Sequence, residues 1–585
     1  VAQLEGLPID EFFEESFRQL QLRYPDTLIY SGLSGEYGVE KHDQFTNISD
    51  TYIRETQQLE SAILGLLQRY DRNALSSEQQ LSYDIYEWYL TDLVDRQEFM
   101  YYTYPINSVG NWDTQYWLIY VMFDSLPIAT QEDAEVYIAR LSKIDTWMEQ
   151  LLEGLKLREQ AGVIPPRFLL QRSIDLVEQD LQEQEDGSFN VHATQLYMTF
   201  CEKLEQVDKI TAEQKLLLLD AASTEIEKTV IPAFIELKDY LIYLESVASD
   251  APGVCKLPQG EAFYTYILRH WTGTYLSANQ IHEVGLAEVA RIQAEMRAIA
   301  AEMGYSEDIS MVELDQLFST ESTYLQGDAL KKEYERLIEE ADQAMEGFFD
   351  LRPGAEVIVH YDPDAPPAYY QKPPSDGSGP GQMVANLANS AQFIFYNPTV
   401  LVHHETIPGH HVQIALAQEL DLPTNFRRDI IFNVYRQHLP FQAYTEGWAL
   451  YAEGLAWEMG LYEGDPLGNL GRLRLLLHRT VRLVVDTGIH AKCWTSQEAL
   501  DYLEEATGSL YSQHRLAQII AVPGQACGYT IGMLKIMELR QQAMDRLGDE
   551  FDIRAFHNVI LGHGPMPMEI LEQVVNDWIE ASLSE

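Results

Sequence analysis

The chain has 585 residues, 46% hydrophobic and 11% aromatic, which is enough for a large core and permits one to three domains. Lys and Arg number 40 against 91 Asp and Glu, a net charge of −51 that disfavours nucleic-acid partners, because a phosphate backbone would be repelled. The acidic residues are spread rather than blocked, so they read as a solvated surface, and no apolar run reaches the ~18 residues that a membrane-spanning helix needs.

The first half of the chain reads as successive amphipathic helices over residues 9–24, 49–71, 78–101 and 131–158, with apolar residues at helical spacing and charges between them. Thr130 precedes the last of these. Thr211-Ala-Glu-Gln214 and Ser277-Ala-Asn-Gln280 have the form of capping boxes opening helices of about 20 to 35 residues. Residues 107–124 are aromatic-rich and less regular, a packed loop or a substrate-facing wall. The pattern breaks near residue 352. Residues 356–361 read as a short strand. Residues 363–381 read as a Pro/Gly/Ser-rich loop, too long for a simple connector, and 391–396 as a second strand. A strand there could hold an extended peptide through its backbone, or it could be one half of a plain hairpin. The reading is therefore a mainly α fold with a small β element next to a motif helix. It divides at 1–350 and 351–585, and the two parts form one continuous unit.

The organising stretch is Val402-His403-His404-Glu405-Thr406-Ile407-Pro408-Gly409-His410-His411-Val412-Gln413, with four His and a Glu inside nine residues. It approximates the zinc-peptidase helix His-Glu-x-x-His, in which two His one turn apart bind the metal and the Glu is the base. Pro408 stands where the second His should be. On a regular helix, residues six apart diverge by about 120°, and residues seven apart are separated by about 10 Å along the axis. Neither His410 nor His411 could then share an ion with His404. Pro408 cannot donate to the preceding turn and Gly409 tolerates unusual dihedrals, so a two-residue bulge there would bring His410 back beneath His404. This gives His404 and His410 as ligands and Glu405 as base. His411 is the alternative second ligand, and His403 and His411 are otherwise neighbours of the metal or the substrate. A kinked helix with surface histidines is the bland alternative.

Downstream, Tyr444-Thr-Glu446-Gly-Trp448-Ala-Leu-Tyr-Ala-Glu453 puts Glu446 and Glu453 on one helical stripe. Glu446 stands among small and apolar residues, where an unpaired carboxylate is expensive, and it is read as the third ligand. Glu453 is read as holding a ligand histidine. Residues 470–486 form an Arg-rich amphipathic helix leading to His490, which orients substrate or sits as a hydrogen-bonded core residue. Thr495-Ser-Gln-Glu498 caps the next helix. Pro523-Gly524 opens a Gly/Ala-rich helix with Gln525 and Tyr529 on one face. Tyr529 is read as the donor to a developing oxyanion, with an aromatic core residue as the alternative. Cys201, Cys255, Cys493 and Cys527 form no Cys-x-x-Cys pair, which predicts free buried thiols and no disulfide framework.

His-Glu-Thr-Ile-Pro-Gly-His-His-Val-Gln (404–413), Glu-Gly-Trp-Ala-Leu-Tyr-Ala-Glu (446–453) and Pro-Gly-Gln-Ala-x-x-Tyr-x-x-Gly (523–532) together resemble the bacterial domain-of-unknown-function family 885. Asp-Gly-Ser-Gly-Pro-Gly (376–381) and Asp-Thr-Gly-Ile-His (486–490) fit it too, and the resemblance covers nearly the whole chain. It implies a largely α-helical, zinc-dependent peptidase, and many members look like secreted proteins or lipoproteins. The family is distantly similar to helical zinc oligopeptidases and carboxypeptidases, two-lobed enzymes with a deep cleft. Carried over, their ligands, base and oxyanion donor fall on His404, His410, Glu446, Glu405 and Tyr529.

The expected activity is hydrolysis of amide bonds in short peptides with one Zn²⁺ per chain, Mn²⁺ or Co²⁺ suiting the same ligand types. The alternatives are a metal-dependent hydrolase of non-peptide amides or esters, and a non-catalytic cell-envelope binding protein with a vestigial metal site. The expected partner is a small amide substrate and not a nucleic acid. The expected location is extracellular or the cell envelope, with the cytoplasm as the alternative.

Overall fold

A computed structural model describes residues 2–39, 45–107, 115–321, 325–363, 365, 368–374, 377–388, 397–420, 422, 425–427 and 439–584. The fold is mainly α, as the sequence predicts. Early helices occupy Ile9–Gln21, Asp50–Leu67 and Ser77–Asp95, close to the predicted spans. The span expected over 131–158 is two helices, Gln131–Leu141 and Ile144–Gln160, interrupted at Ser142 and Lys143. Thr130, Thr211, Ser277 and Thr495 each close a capping box, so the side-chain oxygen and the residue three later satisfy amides that the helix leaves open.

Two cores hold these helices. The smaller one runs from Tyr24 to Ala248 and is dominated by side chains such as Phe123, Tyr137, Trp147 and Phe234. The larger one runs from Leu4 to Ile579 and crosses position 350, uniting helices from both ends of the chain. Arg140 and Asp26, both fully buried, form an ion pair, and Asp26 also accepts from Thr46 N–H at 2.7 Å.

The site is built by seven helices: α1 (Gly260–Thr272), α2 (Ala278–Glu302), α3 (Pro398–Glu405), α4 (His410–Glu419), α5 (Gln442–Glu458), α6 (Pro466–His490) and α7 (Gln525–Leu547). Helices α5 and α7 pack backbone to backbone through two glycines. A Cβ on Gly532 would lie 1.9 Å from Ala443 O, and one on Gly447 would lie 2.5 Å from the Gly532 carbonyl carbon. The α6 helix is buried along most of its length and packs against α2.

The β element is a three-stranded sheet of β1 (Val357–Tyr361), β2 (Ala368–Gln371) and β3 (Gly381–Ala385), in the order β1-β3-β2. Strand β3 runs parallel to β1 and antiparallel to β2. The strand expected over 356–361 is β1. The stretch expected to be a long loop contains β2, whose tyrosines alternate along a pleated edge; the prolines around it masked that signal. The strand expected over 391–396 lies outside the described residues, as do parts of 107–124 and Asp376. Val359, Met383 and Ala385 pack against Leu401 and Val402 of α3, which seats the sheet on the motif helix.

The expectation of four free thiols is corrected. Cys255 and Cys493 form a disulfide, with Cα atoms 5.9 Å apart and a sequence separation of 238, while Cys201 and Cys527 are free. The approach is made by backbone: a Cβ on Gly253 would lie 2.0 Å from Ile489 O, and Val254 N–H donates to His490 Nδ1 at 3.2 Å. Sequence spacing carries no trace of such a tertiary contact.

Candidate metal centre

Helix α3 begins at Pro398 with Asn397 as its cap, the side chain accepting from Thr399 N–H at 2.8 Å. It ends at Glu405, and the chain re-enters a helix only at His410. Between them lies a tight turn containing a cis Ile407–Pro408 peptide. Gly409 is required there, because a Cβ would stand 2.0 Å from His404 O and 2.4 Å from His403 O. Trp448 Nε1 of α5 donates to Pro408 O at 3.0 Å and clamps the turn. The motif is therefore two helices broken at Thr406–Gly409 rather than one bulged helix, and the break folds His410 back toward His404, ring centroids 4.9 Å apart.

Helix α5 supplies the third group. His404 Nε2 and His410 Nε2 each lie 3.6 Å from Glu446 Oε2. One ligand atom from each of the three residues falls within 4.8 Å of the other two. Two ligands on a tetrahedral zinc, each about 2.0–2.1 Å from the ion, stand about 3.4 Å apart, so the spacing suits a shared ion. Glu453, two turns along α5, holds His404 Nδ1 at 2.8 Å and is 2% exposed. That contact makes Nδ1 the donor and turns the Nε2 lone pair toward Glu446, as a ligand histidine requires.

The electrostatics are those of buried opposite charges. Burial and the charge of Arg479 push His404 down, but Glu446 and Glu453 outweigh them and leave it raised, to about 9. Burial opposes ionisation of Glu446, yet His404 and His410 hold it well below the usual carboxylate range. Glu405 is buried beside the trio, and burial raises it despite the opposing pull of His404 and His410. Tyr529 of α7 is raised by burial and by Glu446, and its hydroxyl is engaged with the Gln525 side chain. The contact of Gly447 with Gly532 sets the spacing of α5 and α7, and hence of Glu446 and Tyr529.

The other histidines go elsewhere. His403 Nδ1 meets Tyr462 Oη at 3.2 Å, and burial lowers it to about 3. His411 Nδ1 meets Tyr370 Oη of β2 at 2.9 Å, and burial lowers it to about 4. Of the two candidates for second ligand, the structure places His410 in the trio and His411 on the sheet. His490 uses both ring nitrogens on backbone, accepting from Val254 N–H and donating to Ile519 O at 2.8 Å, which leaves it no atom for substrate. Sequence reasoning missed Arg479, whose charge reaches His404, Glu405 and Tyr529. The run of Arg472, Arg474, Arg479 and Arg482 among the leucines and valines of α6 was the available signal.

The sequence profile of bacterial proteins of unknown function, DUF885, matches residues 25–575. The chain belongs to this family. Among solved structures, this DUF885 chain is similar to "the putative lipoprotein from Colwellia psychrerythraea", with 30% identity over 99% of each chain and a TM-score of 0.86. A "putative lipoprotein of unknown function from Shewanella oneidensis" is 18% identical over 98% of this chain and 100% of that one, with a TM-score of 0.73, a likeness of fold. No curated protein matches the chain.

Proposed function

We propose that this DUF885 protein is a metal-dependent hydrolase of amide bonds in short peptides, with one zinc ion held by His404, His410 and Glu446. The observation that carries the reading is the convergence of two imidazole Nε2 atoms on one carboxylate oxygen, with a second buried carboxylate, Glu405, beside them. Zinc held there supplies Lewis acidity toward a carbonyl group and toward water.

The chain's own residues do the rest. Glu405, raised by burial toward neutrality, takes a proton from the attacking water and hands it to the leaving amine. Tyr529 keeps its proton, because burial and Glu446 hold it up, and donates to the carbonyl oxygen as negative charge grows there. Glu453 fixes the His404 ring. A location in the cell envelope or outside the cell is supported by the Cys255–Cys493 disulfide, a bond of oxidising compartments, and by the likeness to the Colwellia "putative lipoprotein".

The test is elemental analysis of protein purified without added metal or chelator, beside His404→Ala, followed by hydrolysis of a short-peptide mixture. The expected result is about one zinc per chain in the parent, lost in the variant, together with peptide cleavage. A parent that takes up no zinc on dialysis against it sinks the metal site. A zinc-loaded parent that cleaves no peptide sinks the peptidase.

A further inference from the structure

A cavity of about 510 Å³ lies away from the metal-ligand trio, on the other side of α7. It opens between α7, the loop 273–277 that joins α1 to α2, and the C-terminal helix α8 (Met568–Ser584). Ile531, Leu534 and Glu538 form the stripe of α7 that lines it, whereas Gly532, which meets α5, stands about 160° from Leu534 around the helix. The volume falls within the roughly 300–1,000 Å³ of small-molecule sites. The loop is tightly seated, because Gly273 turns at φ +59 and a Cβ there would stand 3.0 Å from Met568 N. The floor is apolar, made by Leu276, Val284, Ile531 and Leu534. Tyr275 lines the opening and is 70% exposed. Its ring is steadied by the Arg269 guanidinium, 4.9 Å from the ring centre, and Arg269 is itself paired with Asp95 at 3.0 Å.

The rim sets three carboxylates against one ammonium. Lys535 Nζ answers two of them, Glu538 at 3.3 Å and Glu572 at 3.0 Å. Glu569, half-buried and three residues before Glu572 on α8, forms no ion pair or side-chain hydrogen bond among the described residues. Like charges one turn apart on a helix repel, and a carboxylate drawn partly out of water is stabilised by a cation beside it. An apolar floor under such a carboxylate is complementary to a molecule with an apolar body and one positive end. The rim repels an anion, and a neutral apolar molecule leaves Glu569 unanswered. We infer that this cavity binds a small organic ammonium, a primary amine whose charged end meets Glu569 and whose aliphatic or aromatic body lies on Leu276, Val284 and Leu534. The site is separate from the metal centre and independent of the peptidase reading.

The test is saturation-transfer NMR and calorimetry on the full-length protein at physiological salt, with three probes of one shape: phenethylamine, phenethyl alcohol and hydrocinnamate. The amine is expected to bind about tenfold or more tightly than the alcohol, and the acid to show no binding. The chain carries a net charge of −51, so diffuse attraction of a cation needs its own control. Glu302→Gln supplies it, removing the same charge from an exposed residue at the far end of α2, about 27 Å from Val284 along the helix axis. Glu569→Gln is expected to bring the affinity for the amine down to that for the alcohol, and Glu302→Gln to leave it as in the parent. Leu276→Trp fills the cavity and is expected to abolish binding of both. If that variant does not fold, Glu569→Gln decides, since it exchanges one half-exposed side chain for its neutral isostere. Equal binding of amine and alcohol by the parent, or no binding of any probe, overturns the site. An affinity for the amine that survives Glu569→Gln, or falls as far in Glu302→Gln, assigns the attraction to the charge of the whole chain and overturns it as well.

Discussion

Among the described residues from 115 to 248, which form most of the smaller core, Arg140 is the buried charge, and Asp26 from an earlier helix answers it. Across α3, α4 and α5 the proportion is reversed: His403, His404, Glu405, His410, His411, Gln413, Gln442 and Glu453 are all buried. Each polar group taken out of water costs free energy unless it is bonded, and an unpaired charge costs several kcal/mol. The first region removes the cost with one ion pair and otherwise avoids it. The second accepts it repeatedly and arranges the groups to face one another. A region that stabilises itself by apolar packing and one that gives up stability for polar geometry should respond oppositely to substitution.

Glu405→Gln is the largest separation of the two. It is expected to lower kcat by about 10² to 10⁴-fold while leaving the melting temperature unchanged or higher, because a buried carboxylate is replaced by a neutral isostere. Steady-state rates and a thermal melt on the same zinc-loaded sample check both halves, and an unchanged rate removes Glu405 as base. Asp26→Ala is the mirror image. It strips Arg140 of this carboxylate in the smaller core and is expected to cost about 3–5 kcal/mol in urea unfolding, with zinc content and kcat of the folded fraction as in the parent. A parallel loss of zinc would join the two regions into one energetic unit and end the contrast. Next in size is Glu453→Gln, which keeps the shape of the contact to His404 Nδ1 but removes its charge. Zinc affinity is expected to fall about 10 to 100-fold in a chelator competition.

The smallest effect concerns pH. Asp486 of α6 is fully buried, accepting from Tyr264 Oη at 2.6 Å and from Gly524 N–H at 3.0 Å, where α7 begins. Burial pushes it up to about 7, while Tyr264, Gly524 N–H and Arg482 act the other way. An unfolded Asp titrates near 3.9, so between about 4 and 7 the folded chain holds the proton that the unfolded chain releases. The stability that this group lends is full below about 4, and it is lost as pH rises toward 7. Asp486→Asn should flatten the fall in stability between pH 5 and 7 by up to about 1.4 kcal/mol per pH unit. Denaturant midpoints across that range decide it, and an unaltered slope rules Asp486 out as its source.

The helices were legible because they are amphipathic and capped, as Thr211, Ser277 and Thr495 show, and local rules set local structure. The site was legible where chemistry concentrated unusual residues. His404, Glu405 and His410 crowd a Pro-Gly break, and Glu446 sits among small side chains, so their grouping in space could be argued from the chain alone. What was not legible depends on contacts between distant segments. The partner of His411 is a tyrosine on a strand hidden among prolines, the partner of His403 is Tyr462, and Cys255 meets Cys493 across 238 positions of sequence. Arg479 was visible as a residue and invisible as a neighbour, since nothing in α6 alone says that its exposed edge faces Tyr529.

The contact of Gly447 with Gly532 gives the site a ruler with no adjustable parts. Where two helices meet through side chains, a rotamer change can absorb a small displacement. Here the main chains themselves touch, so the interval between the residue that precedes Gly447 and the tyrosine one turn before Gly532 is set by atomic radii. The separation of Glu446 from Tyr529 is a fixed dimension of the molecule. Variation in what the protein accepts would have to come from the walls around that interval, because its width leaves no room to drift.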